Sequence, residues 1–248
     1  MNNFNNMSNL NILNNANNTN NTGNIVKVEQ VCYTYHTKYQ KIDALKDINC
    51  SFATDIYYSI TGESGSGKST FLSLLAGLDL PTEGKIYVND EDMENINRDE
   101  YRANTASVVY QSFHLFPLLT ALENVMFPMD LKGFSRNTAK EQAKELIEKV
   151  GLGDKIHRQF PQMMSGGEQQ RIAIARALAT GCKILLADEP TGNLDTKNER
   201  LIVELLKDLA HKDGYTVIVV SHNKYVTMEA DSVLHMKDGE LSGVEAGN

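Results

Sequence analysis

The chain has 248 residues, 41% of them hydrophobic and 23% charged, with a formal net charge of −8. That is enough chain for one large α/β domain or two small ones, and the negative balance argues against broad electrostatic association with nucleic acid, so no nucleic-acid partner is expected. No apolar run approaches the roughly 20 residues that span a bilayer, so a membrane role would have to come through a partner.

Met1 to Asn24 is dominated by asparagine. Residues 1–24 read as a disordered tail, with neither the basic start nor the apolar centre of a signal peptide. From Ile25 the pattern changes. "IVKVEQVCYTY" alternates as a strand does, and "ALKDINCSF" and "DIYYSI" read as further strands. A glycine-rich loop follows, then "STFLSLLAGL", an apolar run of helical character closed by Gly77. "GKIYV" and "ASVVYQ" are short strands. After Gln111 the chain turns helical: "TAKEQAKELIEKVG" predicts a helix opened by a capping box from Thr138 to Glu141. "QQRIAIARALA" is a second helix. "KILLADEP" reads as a buried parallel strand, "TKNERLIVELLKDLAHKDG" as an amphipathic helix, "YTVIVVSH" as another buried strand, and "VLHMKDGEL" as a hairpin turned at Asp238-Gly239. Strands alternating with helices predict an α/β fold with a mostly parallel sheet and helices on both faces. The helical stretch from about 113 to 178 interrupts that alternation and is expected to be an inserted subdomain. Cys32, Cys50 and Cys182 are few, odd in number and far apart, which fits a reducing cytosol better than a disulfide framework or a zinc site.

Three stretches carry chemistry. "GESGSGKST" (Gly62, Glu63, Ser64, Gly65, Ser66, Gly67, Lys68, Ser69, Thr70) satisfies G-x-x-x-x-G-K-[ST] between a strand and a helix. Its backbone N–H groups and the helix N-terminus would cradle phosphates, Lys68 would reach the β- and γ-phosphates, and Ser69 would ligate Mg²⁺. "ILLADEP" supplies Asp188 as a second holder of Mg²⁺, through water. Glu189, one residue further on, is the candidate base that orients or deprotonates an attacking water. "MSGGEQQR" places Ser165, Gly166 and Gly167 at another helix start. That is a second anion-binding element, and one nucleotide does not need two, so it points to nucleotide held by another subunit.

With these motifs in this order, the chain resembles the ATP-binding subunits of ABC transporters from Ile25 to about Gly243. The resemblance implies a P-loop ATPase core of residues 25–243, with an N-terminal antiparallel β subdomain and the helical insertion. It implies ATP and Mg²⁺ as cofactors, a second ATP-binding subunit and a transmembrane permease as partners, and a location on the inner face of the cell membrane. It further implies that Gln111 senses the γ-phosphate and metal, Asp195 in "GNLD" belongs to a loop crossing the dimer interface, and His222 hydrogen-bonds the γ-phosphate. The resemblance implies that Tyr35, which aligns with the family's tyrosine relative to "ALKDI", stacks on adenine, with Tyr33 the competitor on the same strand face. Met164 and Glu168 depart from the usual LSGGQ, and Asn223 stands where aspartate often follows the histidine. "LLTALENV" and "ADEPTGNLDT" resemble the branch serving macrolide export, lipoprotein release, cell division and antimicrobial-peptide resistance. That branch leaves two outcomes open, transport by the permease or mechanical work without transport. The sustained heptads of a chromosome-maintenance ATPase and the N-K-x-D motif of a GTPase are missing from the chain.

Overall fold

The computed structural model describes residues 23–36 and 40–246. Of the predicted tail, residues 1–22 lie outside that range, and Asn24 is already paired with Ala53 as the first strand begins. Strands β1 (Asn24–His36) and β2 (Lys41–Ala53) form an antiparallel pair. β3 (Tyr57–Thr61) enters a second sheet and runs through the glycine loop into α1 (Lys68–Leu75). β4 (Glu83–Val88) returns antiparallel to β1, and β5 (Glu91–Asp92) completes a four-stranded sheet in the order β2-β1-β4-β5. α2 (Arg98–Asn104) leads to β6 (Ala106–Tyr110), and α3 (Ala121–Leu131), α4 (Arg136–Lys149) and α5 (Gly166–Leu178) separate it from β7 (Ile184–Asp188). Then come α6 (Thr196–His211), β8 (Thr216–Val220), the short α7 (Lys224–Met228), and the hairpin β9 (Ser232–Lys237) with β10 (Glu240–Ala246).

The second sheet has six strands in the order β10-β9-β3-β8-β7-β6, parallel except for β10 at its edge. This is the mostly parallel sheet that the alternation of elements predicts. Its strands are apolar on both faces because both faces are covered. Successive residues on β7 and β8 point to opposite sides. Leu185, Ala187, Val217 and Val219 join one core with α3–α6, while Ile184, Leu186, Ile218 and Val220 join the other. In the second core, Phe71, Leu72, Leu74 and Leu75 of α1 pack with Val26, Val28 and Val31 of the antiparallel sheet. Helix α1 is therefore clamped between two sheets, and its N-terminus is held against the edge where the parallel strands end.

The helix starts differ from the sequence reading at one place. α4 begins three residues earlier than the predicted capping box. Ser135 is its N-cap and accepts a hydrogen bond from the Thr138 N–H at 3.2 Å, and Glu141 instead pairs with Lys144 at 2.9 Å. Two capping boxes lie elsewhere. Thr120 and Glu123 open α3, and Ser165 and Glu168 open α5. In the first box the Thr120 N–H and hydroxyl both donate to Glu123, at 2.9 and 2.7 Å, and hold its carboxyl below the usual glutamate range.

A carboxylate whose folded pKa is depressed stabilises the fold above its unfolded value and loses that contribution as pH falls. Thr120→Ala is therefore expected to cost about 1 kcal/mol near neutral pH, the usual value of an N-cap. That corresponds to a Tm lower by about 2–4 °C for a domain of this size. The difference should shrink as the pH falls below the ordinary glutamate pKa of about 4.3, and melting curves of both proteins across that range are the check.

Candidate active site

Parallel strands that share a register end together. Tyr110 pairs with Asp188, Asp188 with Val220, and Val220 with Ile60. The residues just past those ends are Gln111, Glu189, Ser221-His222 and the loop from Gly62. They come from four distant parts of the chain but lie along one sheet edge, where open α/β sheets carry their ligands. Of these, Gln111, Glu189, His222 and the loop line a cleft of about 990 Å³, to which every residue from Gly62 to Thr70 except Ser66 contributes.

The glycine-rich loop is shaped by close backbone approach. A Cβ at Gly62 would lie 2.0 Å from the Met236 carbonyl oxygen, and one at Gly67 would lie 2.6 Å from that of Ala44. Gly67 (φ +106°) is the N-cap of α1 and offers no side chain to it. The first-turn N–H groups of α1 thus have no side-chain acceptor and face the cleft as an anion-binding end. Lys68 is buried, and its ammonium fills the loop, donating to the carbonyls of Gly62 (2.8 Å) and Glu63 (2.7 Å) and to Ser66 Oγ (3.4 Å). The β9–β10 turn closes the loop from outside, since the Gly239 N–H donates to Ser66 O at 3.0 Å and Gly239 O accepts from the Lys46 N–H at 2.8 Å.

Ser69 Oγ donates to Asp188 Oδ1 at 3.4 Å. Burial raises the Asp188 carboxyl above its ordinary range and neighbouring Glu189 adds to this, while the Ser69 hydrogen bond and the Lys68 charge oppose it. A cation beside Asp188 would reverse that balance. Hydroxyl, carboxylate and the amide of Gln111 form an oxygen-bearing set suited to a hard ion completed by phosphate and water. No cluster of three or more His, Cys, Asp or Glu suited to a metal occurs among the described residues. The donors thus leave room for ligands from outside the protein rather than caging a cation by themselves.

Glu189 stands at φ +47°, an unusual region for a side chain of its size. Its peptide N–H is fixed to Val220 O at 2.9 Å, its Oε2 accepts from Ser221 Oγ at 3.2 Å, and its Oε1 meets His222 Nδ1 at 2.7 Å. The strained backbone thus persists where its surroundings over-determine it. Gln111 faces the loop after β7, with Nε2 donating to Asn193 Oδ1 at 3.2 Å. Phe113 (φ +61°) and His114 (φ +48°), just beyond it, have their carbonyls held by Arg176 of α5 at 3.1 and 2.7 Å.

The two tyrosines separate. Their rings touch edge to face at 4.9 Å, as residues on one strand face can. The Tyr33 hydroxyl donates to Asp79, a bond that pushes the phenol up to about 12. Tyr35 is 44% exposed, lines the cleft and meets Thr70 Oγ1 through its hydroxyl at 3.0 Å.

Ser165, Gly166, Gly167 and Asp195 do not line this cleft. Ser165 Oγ donates to Glu168 at 2.7 Å, so the departure Glu168 completes a helix cap and is held charged below its usual range. A Cβ at Gly167 would lie 2.2 Å from Asn198 Oδ1, which makes this glycine a packing requirement against α6. Asp195 caps α6, accepting from the Asn198 N–H at 2.9 Å. Sequence reasoning missed Ser221, Asn193 and the role of Gly239 beside the loop. The adjacency of Ser221 to His222 was a usable signal, whereas the place of Asn193 in "GNLD" and of Gly239 in a hairpin turn did not disclose their partners.

The ABC transporter family profile matches residues 45–192. An uncharacterised ABC transporter ATP-binding protein of Thermotoga maritima is 44% identical over 208 residues, which span 83% of this chain and 88% of that protein. The lipoprotein-releasing system ATP-binding protein LolD of Acinetobacter baylyi is 41% identical over 202 residues, 80% of this chain and 88% of LolD. Among solved structures, the dimeric post-hydrolysis state of the ATP-binding cassette MJ0796, bound to ADP and Pi, matches with a TM-score of 0.83 at 40% identity, over 90% of this chain and 99% of that one.

The loop geometry separates two glycines. Gly65 (φ +80°) has open space around its Cα, so Gly65→Ala should cost only the strain of one left-handed residue, about 1–2 kcal/mol. Gly67→Ala adds the collision with Ala44 O and should lower the Tm by clearly more. A thermal melt in which the two variants lose equal stability would remove the close approach as the reason for Gly67.

Proposed function

This chain belongs to the ABC transporter ATP-binding family, and on that premise we propose that it hydrolyses ATP to drive a separate transmembrane permease, working as a head-to-tail dimer with two ATP molecules at its interface. Domains of this family bind ATP. The observation that carries the dimer is the division of the motifs. One cleft holds the phosphate loop, Asp188, Glu189 and His222, while Ser165, Gly166 and Gly167 lie outside it. A second copy turned by a two-fold axis would bring its α5 N-terminus to this cleft, and each copy would do the same for the other.

In this reading Lys68 exchanges the carbonyls of Gly62 and Glu63 for β- and γ-phosphate oxygens. Glu189, aimed by Ser221 and His222, orients or deprotonates the attacking water, and His222 holds the γ-phosphate. Ser69, Asp188 and Gln111 would hold Mg²⁺, which neutralises phosphate charge when bound. Adenine stacks on Tyr35. Among the described residues no helix is long and apolar enough to cross a membrane, and in this reading the chain meets the cytoplasmic face through its permease.

Glu189→Gln keeps the shape and removes the base. Turnover should fall by roughly 10²–10⁴-fold, with ATP affinity retained and an ATP-bound dimer accumulating on size-exclusion chromatography. Wild-type turnover in that variant would take Glu189 out of the mechanism. Isothermal titration should separate the tyrosines: Tyr35→Ala is expected to weaken ATP binding by about 1 kcal/mol, the worth of an offset stack, and Tyr33→Ala to leave it unchanged. The reverse pattern would give the stacking role to Tyr33.

A further inference from the structure

Gln111 makes a two-way contact with one residue of the loop after β7. Asn193 Nδ2 donates to the backbone carbonyl of Gln111 at 3.3 Å, and Asn193 Oδ1 accepts from Gln111 Nε2 at 3.2 Å. A side-chain amide has nearly the same shape either way round, so its facing is decided by its partners. Here the backbone carbonyl decides. It can only accept, so it takes the Asn193 NH₂ group. That leaves Oδ1 toward the Gln111 side chain, where only an N–H can satisfy it. The Gln111 nitrogen is thereby held at Asn193, and Oε1 is turned away from that contact.

The seat beneath the pair is shaped for it. A Cβ at Gly192 would lie 2.7 Å from Gln111 Nε2 and 3.2 Å from its Cδ, with the next neighbour, Glu189 O, at 3.5 Å. Gly192 is not among the residues with positive φ. Its glycine is thus explained by the Gln111 amide lying across it and not by backbone conformation.

We propose that Asn193 is a positioning residue for Gln111: seated beside Gly192, it turns the Gln111 amide so that its carbonyl oxygen faces the cation carried by the bound nucleotide. The inference rests on the reading of Gln111 as an oxygen donor to that cation. A hard divalent ion takes the oxygen of an amide and not its nitrogen, so an inverted Gln111 would present the wrong end. Partners of metal ligands act in this way, by fixing orientation without touching the metal.

The test measures how much Mn²⁺ tightens the binding of ATPγS, as the ratio of the dissociation constants in EDTA and in Mn²⁺ by isothermal titration. Asn193→Leu removes both hydrogen bonds at similar volume, and Gly192→Ala displaces the Gln111 amide while sparing the backbone. Both should lower the ratio by roughly tenfold, with the EDTA affinity held within about twofold. Gln111→Ala should lower the ratio at least as far, and Asn193→Leu added to Gln111→Ala should cause no further loss, because the two act through one contact. An Asn193→Leu protein with the wild-type ratio, beside a Gln111→Ala protein that has lost it, would overturn this inference and leave the nucleotide site standing. A loss that persists undiminished on the Gln111→Ala background, or one equal in EDTA and in Mn²⁺, would also overturn it. A wild-type chain that binds no ATPγS would overturn the site reading together with it.

Discussion

Backbone packed directly on backbone is the constraint from which the rest of this molecule follows. The Met236 carbonyl lies where a Gly62 side chain would be, and the Ala44 carbonyl lies where side chains of Gly67 and Gly239 would be. Three segments remote in sequence, the phosphate loop, β2 and the β9–β10 turn, therefore meet without intervening side chains. Hydrogen bonds from the Gly239 N–H to Ser66 and from the Lys46 N–H to Gly239 tie them together. The loop keeps its shape because it is pressed from outside, and Lys68 fills its centre.

The parallel sheet turns this local shape into a site. Its shared register delivers four strand ends to one edge, and cores on both faces keep those strands from sliding. Along that edge the polar groups are mutually held. Glu189 is fixed by one peptide contact and two side-chain contacts, Asp188 by Ser69, and Gln111 by Asn193. Preorganisation of this kind places groups before substrate arrives, which is how a site lowers a barrier without reorganising at the moment of reaction.

The dimer proposed above would draw on groups that lie outside the cleft. Ser165 and Asp195 sit at the N-termini of α5 and α6, and both are occupied as caps within the chain. Their helices meet where Gly167 lies against Asn198, so the two helix starts form one contiguous surface. Arg176, near the other end of α5, holds the left-handed pair Phe113 and His114 just after Gln111. Helix α5 thus joins that surface to the segment leaving the cleft.

Much of this was legible in one dimension, for a physical reason. Apolar runs at "ILLAD" and "TVIVV" can only be strands covered on both faces, and glycines spaced around Lys68 between strand and helix have one economical use. The loop, Asp188 and Glu189 could therefore be proposed from local pattern, while His222 took its role from the family resemblance. Where two local patterns competed, the reading failed: Thr138 and Glu141 have the spacing of a capping box, but Ser135 lies one turn earlier and takes the helix start. Tyr33 and Tyr35 are indistinguishable by alternation, and Asp79, 46 residues from Tyr33, separates them. Asn193, Ser221 and Gly239 sit in or beside stretches that local pattern singles out, but the roles they play depend on partners across the sheet edge. The sequence by itself determined the element types and the phosphate-binding chemistry, since both depend on neighbours a few residues apart. Only the tertiary structure decided which carbonyl crowds which glycine, which way the Gln111 amide faces and which tyrosine reaches the cleft, because those depend on contacts between segments that only folding brings together.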